Sequence, residues 1–139
     1  MYTQRPWIGS YDKGVPGSLL YPDHCVHDYL VKQAQKIPDR VAIVAGKNTI
    51  HYRNLYQQVS RFSSHLMMSG LRAGDRVGIC LPNSPGFVIA CFGVLQAGGV
   101  VAAMNPLFPI RELEFQSNTA DVKLVITDSR KIKDFRTME

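Results

Sequence analysis

At 139 residues, 45% apolar and 19% charged, the chain is long enough for one domain with a real core and too apolar for a disordered segment. The net charge of +5 comes from Lys and Arg spread along most of the chain, with a local cluster at Arg130, Lys131 and Lys133 beside Asp128 and Asp134. Scattered charge with few aromatics between reads as a solvated surface, so no nucleic-acid partner is expected.

Up to Asp23 the chain carries Pro6, Gly9, Gly14, Pro16, Gly17 and Pro22, too many breakers for regular structure, and the composition predicts an extended arm over 1–23 laid on a larger body. Residues 24–139 then form the structured part. Asp23 to Lys36 has apolar residues at Val26, Tyr29, Leu30, Ala34 and Ile37, a helical period that Pro38 stops. Val41 to Ala45 and Thr49 to Tyr52, joined at Gly46-Lys47-Asn48, read as two strands and a tight turn. Arg53 to Gly70 is the longest amphipathic segment, with Leu55, Val59, Phe62 and Leu66 on one stripe.

Asp75 to Leu81 is a continuous apolar strand whose lack of alternation predicts burial on both faces, as in a parallel sheet. Ser84 is a candidate N-cap, with Pro85 in the first turn, for a helix reaching Ala97, and Gly98 or Gly99 its candidate C-cap. A strand over Val100 to Ala103, a loop over Met104 to Pro109, a helix from Ile110 to about Asn118, a strand over Lys123 to Thr127 and a last helix begun by Asp128 or Ser129 follow. Strands alternating with helices make right-handed crossovers and a largely parallel sheet, so the fold class is α/β.

From Phe87 to Met104 no side chain is charged, a run at the lower edge of what spans a bilayer. Gln96-Ala97-Gly98-Gly99 cuts that run into two short buried elements, which leaves at most peripheral membrane contact. Cys25, Cys80 and Cys91 are odd in number and two lie in apolar runs, so reduced, inert thiols are expected and the setting is cytoplasmic. Met1 to Trp7 contain no apolar stretch of signal-peptide length. His24, Cys25 and His27 crowd together without a second cluster at zinc-site spacing, so no metal site is assigned. His51 and His65 have no carboxylate to orient them, and no Gly-x-Ser-x-Gly elbow is present, so no catalytic residue is assigned either.

The ordered set of short motifs carries a resemblance. Ile37-Pro38-Asp39 leads into Thr49-Ile50-His51-Tyr52-Arg53-Asn54-Leu55; then come Gly74-Asp75-Arg76-Val77, Leu81-Pro82-Asn83, Leu95-Gln96-Ala97-Gly98, Asn105-Pro106-Leu107 and Arg111-Glu112-Leu113. In this order they resemble the N-terminal portion of the AMP-forming acyl-CoA synthetase, or adenylate-forming, family over essentially the whole chain. The spacing departs by one residue from the commonest form at the Thr-Tyr-x-x-Leu pattern. Trp7 with Gly14-Val15-Pro16, and the Asn-Pro-Leu-Phe ending, are most similar to the long-chain fatty-acid-CoA ligase branch. Amino-acid-activating modules instead usually carry an acidic residue after the corresponding proline.

The resemblance implies adenylation of a hydrophobic carboxylate by ATP with Mg²⁺, then thioester formation with CoA. Such chemistry needs donors and a metal that hold the phosphates in line and neutralise developing charge. The family's phosphate loop, acidic metal ligand, ribose aspartate and mobile lysine have no counterpart here. The glycine clusters, Gly14 to Gly17 and Gly98-Gly99, lack an adjacent Thr-Thr or Gly-Lys. These residues alone are therefore expected to bind no cofactor, to be inactive, and to depend on a missing C-terminal portion of the same chain or to self-associate. A stand-alone, non-catalytic scaffold derived from the same fold is the alternative. Asn105 and Pro106, just beyond a buried strand, sit where open sheets place ligands; an ordinary turn is favoured, with substrate-pocket lining as the sharper alternative.

Overall fold

The computed structural model describes residues 5–136. The segment from Arg5 to Cys25 is exposed throughout and irregular save for one 3-10 turn over Pro6–Ser10, with the proline in its first turn. Residues 1–4 of the expected arm and the last three residues of the chain lie outside the described residues.

Helix α1 spans Val26–Lys36, later than the periodicity from Asp23 suggests. Its start is set by a cap: the Cys25 backbone N–H donates to Asp28 Oδ2 at 2.9 Å, so a carboxylate in the first turn satisfies an amide at the positive end of the helix. Strands β1 (Val41–Ala45) and β2 (Asn48–His51) form an antiparallel hairpin that is a sheet of its own. Helix α2 (Tyr52–Met68) begins one residue earlier than expected, at Tyr52. The cause is distant in sequence: Tyr52 N–H donates to the Arg40 carbonyl and Arg53 N–H to the Pro38 carbonyl, both at 3.0 Å. Two amides that a helix start leaves without partners are thereby satisfied.

The second sheet is wholly parallel. Its strands β3 (Arg76–Cys80), β4 (Val100–Ala103) and β5 (Val122–Thr127) lie in the order β4-β3-β5, with Val77 opposite Val101 on one side and Leu124 on the other. The chain is thus α/β, and the parallel character belongs to this sheet alone. Helix α3 (Pro85–Gln96) connects β3 to β4, and α4 (Ile110–Thr119) connects β4 to β5 across β3. Because the two crossovers run in opposite directions, right-handedness puts their helices on opposite faces. Val77 and Ile79 accordingly pack with Ala90 and Val94 of α3, Ala97 at its C-terminal cap and Leu66 of α2, while Cys80 packs with Met104 and with Leu113 of α4. The final helix, α5, is a single turn over Ile132–Phe135. It starts later than Asp128 because the Asp128 side chain first closes a turn, accepting the Arg130 backbone N–H at 2.9 Å.

Helix α3 is apolar all round because it is a shared wall. Phe87, Cys91 and Val94 meet the parallel sheet, whereas Val88, Ile89 and Phe92 meet the second core formed by Leu30, Leu55 and Val59. Ser84 Oγ accepts the Phe87 N–H at 3.2 Å, the expected N-cap. At the other end Gly98, with φ of +81°, donates to Leu95 O at 3.0 Å and Gly99 donates to Val94 O at 2.9 Å, the two bonds of a Schellman stop. Cys80 is fully buried, as expected. Cys91 is only half-buried, because its side of α3 is incompletely covered, though burial still pushes its thiol up in pKa. Among the described residues no helix is long and apolar enough to cross a membrane.

Candidate functional site

Strand β3 leaves its carboxyl end toward α3, and the adjacent β4 leaves toward α4 on the other face. Neighbouring strands whose exits diverge in this way define a topological switch point, where open parallel sheets open a crevice. A cleft of about 570 Å³ lies there. One wall is Leu81, Pro82 and Asn83 after β3, with Phe87 from the first turn of α3; the other runs from Ala103 to Leu107 after β4.

Both residues singled out in the sequence, Asn105 and Pro106, line this cleft. Asn105 also has the turn role: its Oδ1 accepts the Leu107 N–H at 2.9 Å, and its carbonyl accepts the Phe108 N–H at 3.1 Å. The first of these bonds orients the carboxamide with its oxygen committed. The Leu81-Pro82-Asn83 wall is recognisable in the sequence only as a motif, since nothing local tells that β3 and β4 are neighbours. Its signal is the same as that of Asn105-Pro106, a proline and an asparagine side by side shortly after an apolar strand, although β4, expected to be buried, is an edge strand with Val100 and Ala103 exposed.

The lining is apolar except for the carboxamides of Asn83 and Asn105, and it includes no ionisable side chain. The perturbed carboxyls lie elsewhere, on the surface. Lys123 holds Asp121 below the usual carboxylate range, first through a side-chain hydrogen bond at 2.9 Å, and Arg130 does the same for Asp128. The cleft therefore offers shape and two amides, with no acid, base or charge. Phosphates and Mg²⁺ do not fit such a lining, which lacks both cationic donors and carboxylate ligands. An apolar ligand bearing a polar end does fit it.

Cys25, His27 and Asp28 bring potential ligand atoms within 4.8 Å of one another. Asp28 is engaged in the α1 cap and the site lies at a positive helix end, where a cation is disfavoured. His24, which the sequence groups with them, packs edge-on against Tyr29 with ring centroids 6.3 Å apart.

The family of AMP-binding enzymes matches residues 30–139. The chain is 35% identical over 127 residues to a long-chain-fatty-acid–CoA ligase of Bacillus subtilis, a match that covers 91% of this chain and 23% of the ligase. It is also 31% identical over 116 residues to a linear gramicidin synthase of Brevibacillus parabrevis, covering 84% of this chain and 2% of that protein. Among solved structures, the N-terminal subdomain of Klebsiella oxytoca NpsA in complex with 3-hydroxybenzoyl-AMSN matches with a TM-score of 0.72 and 30% identity, over 75% of this chain and 26% of that one. O-succinylbenzoate coenzyme A synthetase (MenE) from Bacillus subtilis, in complex with AMP, matches with a TM-score of 0.74 and 25% identity, over 78% and 29%. The chain spans about a quarter of the ligase it matches. It belongs to the AMP-binding, adenylate-forming enzyme family, with the fold of part of that family's N-terminal subdomain.

Proposed function

We propose that this chain is the N-terminal part of an ATP-dependent acyl-CoA ligase for a fatty or similarly hydrophobic carboxylate, and that the cleft between the ends of β3 and β4 receives the apolar part of that substrate. The carrying observation is the cleft itself, an uncharged apolar crevice at the switch point with only Asn83 and Asn105 as polar side chains. The 35% identity to a fatty-acid–CoA ligase, extending over 91% of this chain, supports the substrate class. On this reading the nucleotide, Mg²⁺ and CoA are held by other parts of the protein, in the cytoplasm, and residues 1–23 serve as an arm laid on them. The one-sided pairing of β4 and β5, together with exposed Leu107 and Phe115 near the end of β4, supports cover by further protein of the same polypeptide.

Carboxylate-dependent ATP–pyrophosphate exchange tests the proposal. The 139 residues alone are expected to give none, because they hold no phosphate loop and no metal ligand in the cleft. Fused in place of the matching N-terminal quarter of the Bacillus ligase, they are expected to support fatty-acid-dependent exchange and thioester formation. Exchange by the chain alone, or a folded fusion that gives none, would contradict the reading.

A further inference from the structure

Between Arg5 and Gly17 the chain closes on itself instead of running extended. The Arg5 guanidinium donates to the Gly17 carbonyl at 3.4 Å, and the Ile8 side chain lies so near that a Cβ built on Gly17 would stand 3.3 Å from Ile8 Cδ1. The 3-10 turn over Pro6–Ser10 and a bond from the Val15 N–H to the Asp12 carbonyl, at 3.0 Å, shape the inside of this hook. Where it joins α1, the His24 N–H donates to the Pro22 carbonyl at 2.9 Å and the His24 ring packs against Tyr29, so the connection is itself braced.

The hook contributes nothing to the core. Trp7, Tyr11, Val15, Leu19, Leu20 and Tyr21 are all exposed, and none belongs to the clusters that hold the helices and sheets together. Leu20 and Tyr21, at 102% and 84% exposure, are as open as in an unfolded chain. So many apolar side chains on one short segment mark an interaction surface, and tryptophan and tyrosine are the residues that anchor such surfaces. An anionic membrane is a poor partner, because Arg5 and Lys13 are balanced by Asp12 and Asp23 and leave no net positive charge.

We infer that residues 5–23 are a preformed docking hook that clasps the remainder of the same polypeptide, led by Leu20 and Tyr21. The inference rests on the reading of this chain as the N-terminal part of a ligase and adds the residues that hold that part to the whole. Residues 30–139 cannot contain a match of 127 residues, so the identity to the Bacillus ligase reaches back into the hook, while the chain spans only 23% of that ligase. Hook and ligase body thus occur together in one polypeptide. Closing the loop in advance lowers the ordering cost of docking.

Tryptic cleavage after Lys13, followed by mass spectrometry, tests this in the 139-residue chain and in its fusion to the Bacillus ligase, with folding checked by circular dichroism. Lys13 is exposed in the chain alone, where the cut is expected to be fast. In the fusion it is expected to slow about tenfold, and Leu20→Asp with Tyr21→Asp to restore the fast cut. Leu20→Ala with Tyr21→Ala serves if the aspartates prevent folding. Equal rates in chain and fusion would overturn the inference, as would protection that vanishes on dilution, which would assign the hook to a second copy. Fatty-acid-dependent exchange by the same fusion reads the ligase assignment separately: exchange with Lys13 unprotected sinks the hook and spares that assignment, whereas a protected Lys13 without exchange does the reverse.

Discussion

Gly93→Val is expected to destabilise the fold by about 3 kcal/mol, enough to show as a clear fall in the urea midpoint. Gly93 is buried on the face of α3 that meets α2, and a Cβ there would stand 2.6 Å from Phe62 Cδ1. Real packed atoms do not approach so closely, so either the Phe62 ring leaves the core it packs against or the two helices move apart. A valine cannot avoid this by choosing another rotamer, because the clash is at Cβ itself. Helix propensity alone would favour valine over glycine by a few tenths of a kcal/mol, which makes the sign of the result informative. A midpoint that rises would mean that α2 and α3 are not in this close contact.

Ile79→Ala should be at least as damaging, with a loss of about 4 kcal/mol. Ile79 is fully buried on the central strand and packs in the cluster that α2 and α3 press onto the sheet. Removing its outer methylene and methyl groups leaves a cavity bounded by β-strand backbone, which cannot collapse to fill it. A domain of this size has a total stability of roughly 5–15 kcal/mol, so the variant should be a partly unfolded protein near physiological temperature. Val26→Ala, at a position 64% exposed on α1, provides the contrast and should change the urea midpoint little. Equal effects at the two sites would refute the assignment of the core.

Much of this architecture is legible in the chain because its signals are local. Ser84 and Gly98 bracket α3 by ordinary capping chemistry, and the unbroken apolar run at Val77 to Cys80 announces a strand covered on both faces. What escapes a local reading depends on partners far away in sequence. The start of α2 at Tyr52 is set by carbonyls of Pro38 and Arg40, and the separation of the β1–β2 hairpin from the parallel sheet is a matter of which edges meet. Gly78 and Gly93 look like interruptions until Met104 and Phe62 are seen to fill the space they leave.

The same distinction applies to the site. Asn105-Pro106 could be picked out as a loop after a strand, but its partner wall, Leu81 to Asn83, joins it only because β3 and β4 pair side by side in parallel. Nothing in the spacing of the two motifs encodes that adjacency. Chemistry sets a further boundary: a cleft without ionisable groups has no acid–base signature, so only its shape and position distinguish it from a surface hollow.

Photoaffinity labelling with a fatty acid carrying a terminal diazirine tests most directly whether this cleft receives an apolar carboxylate. Labels mapped by mass spectrometry are expected on the walls from Leu81 to Phe87 and from Ala103 to Leu107, and to disappear when unmodified dodecanoate is added in excess. Labelling that dodecanoate displaces only from another hollow, such as the one of about 320 Å³ between Tyr29, Leu30 and Phe92, would contradict that reading.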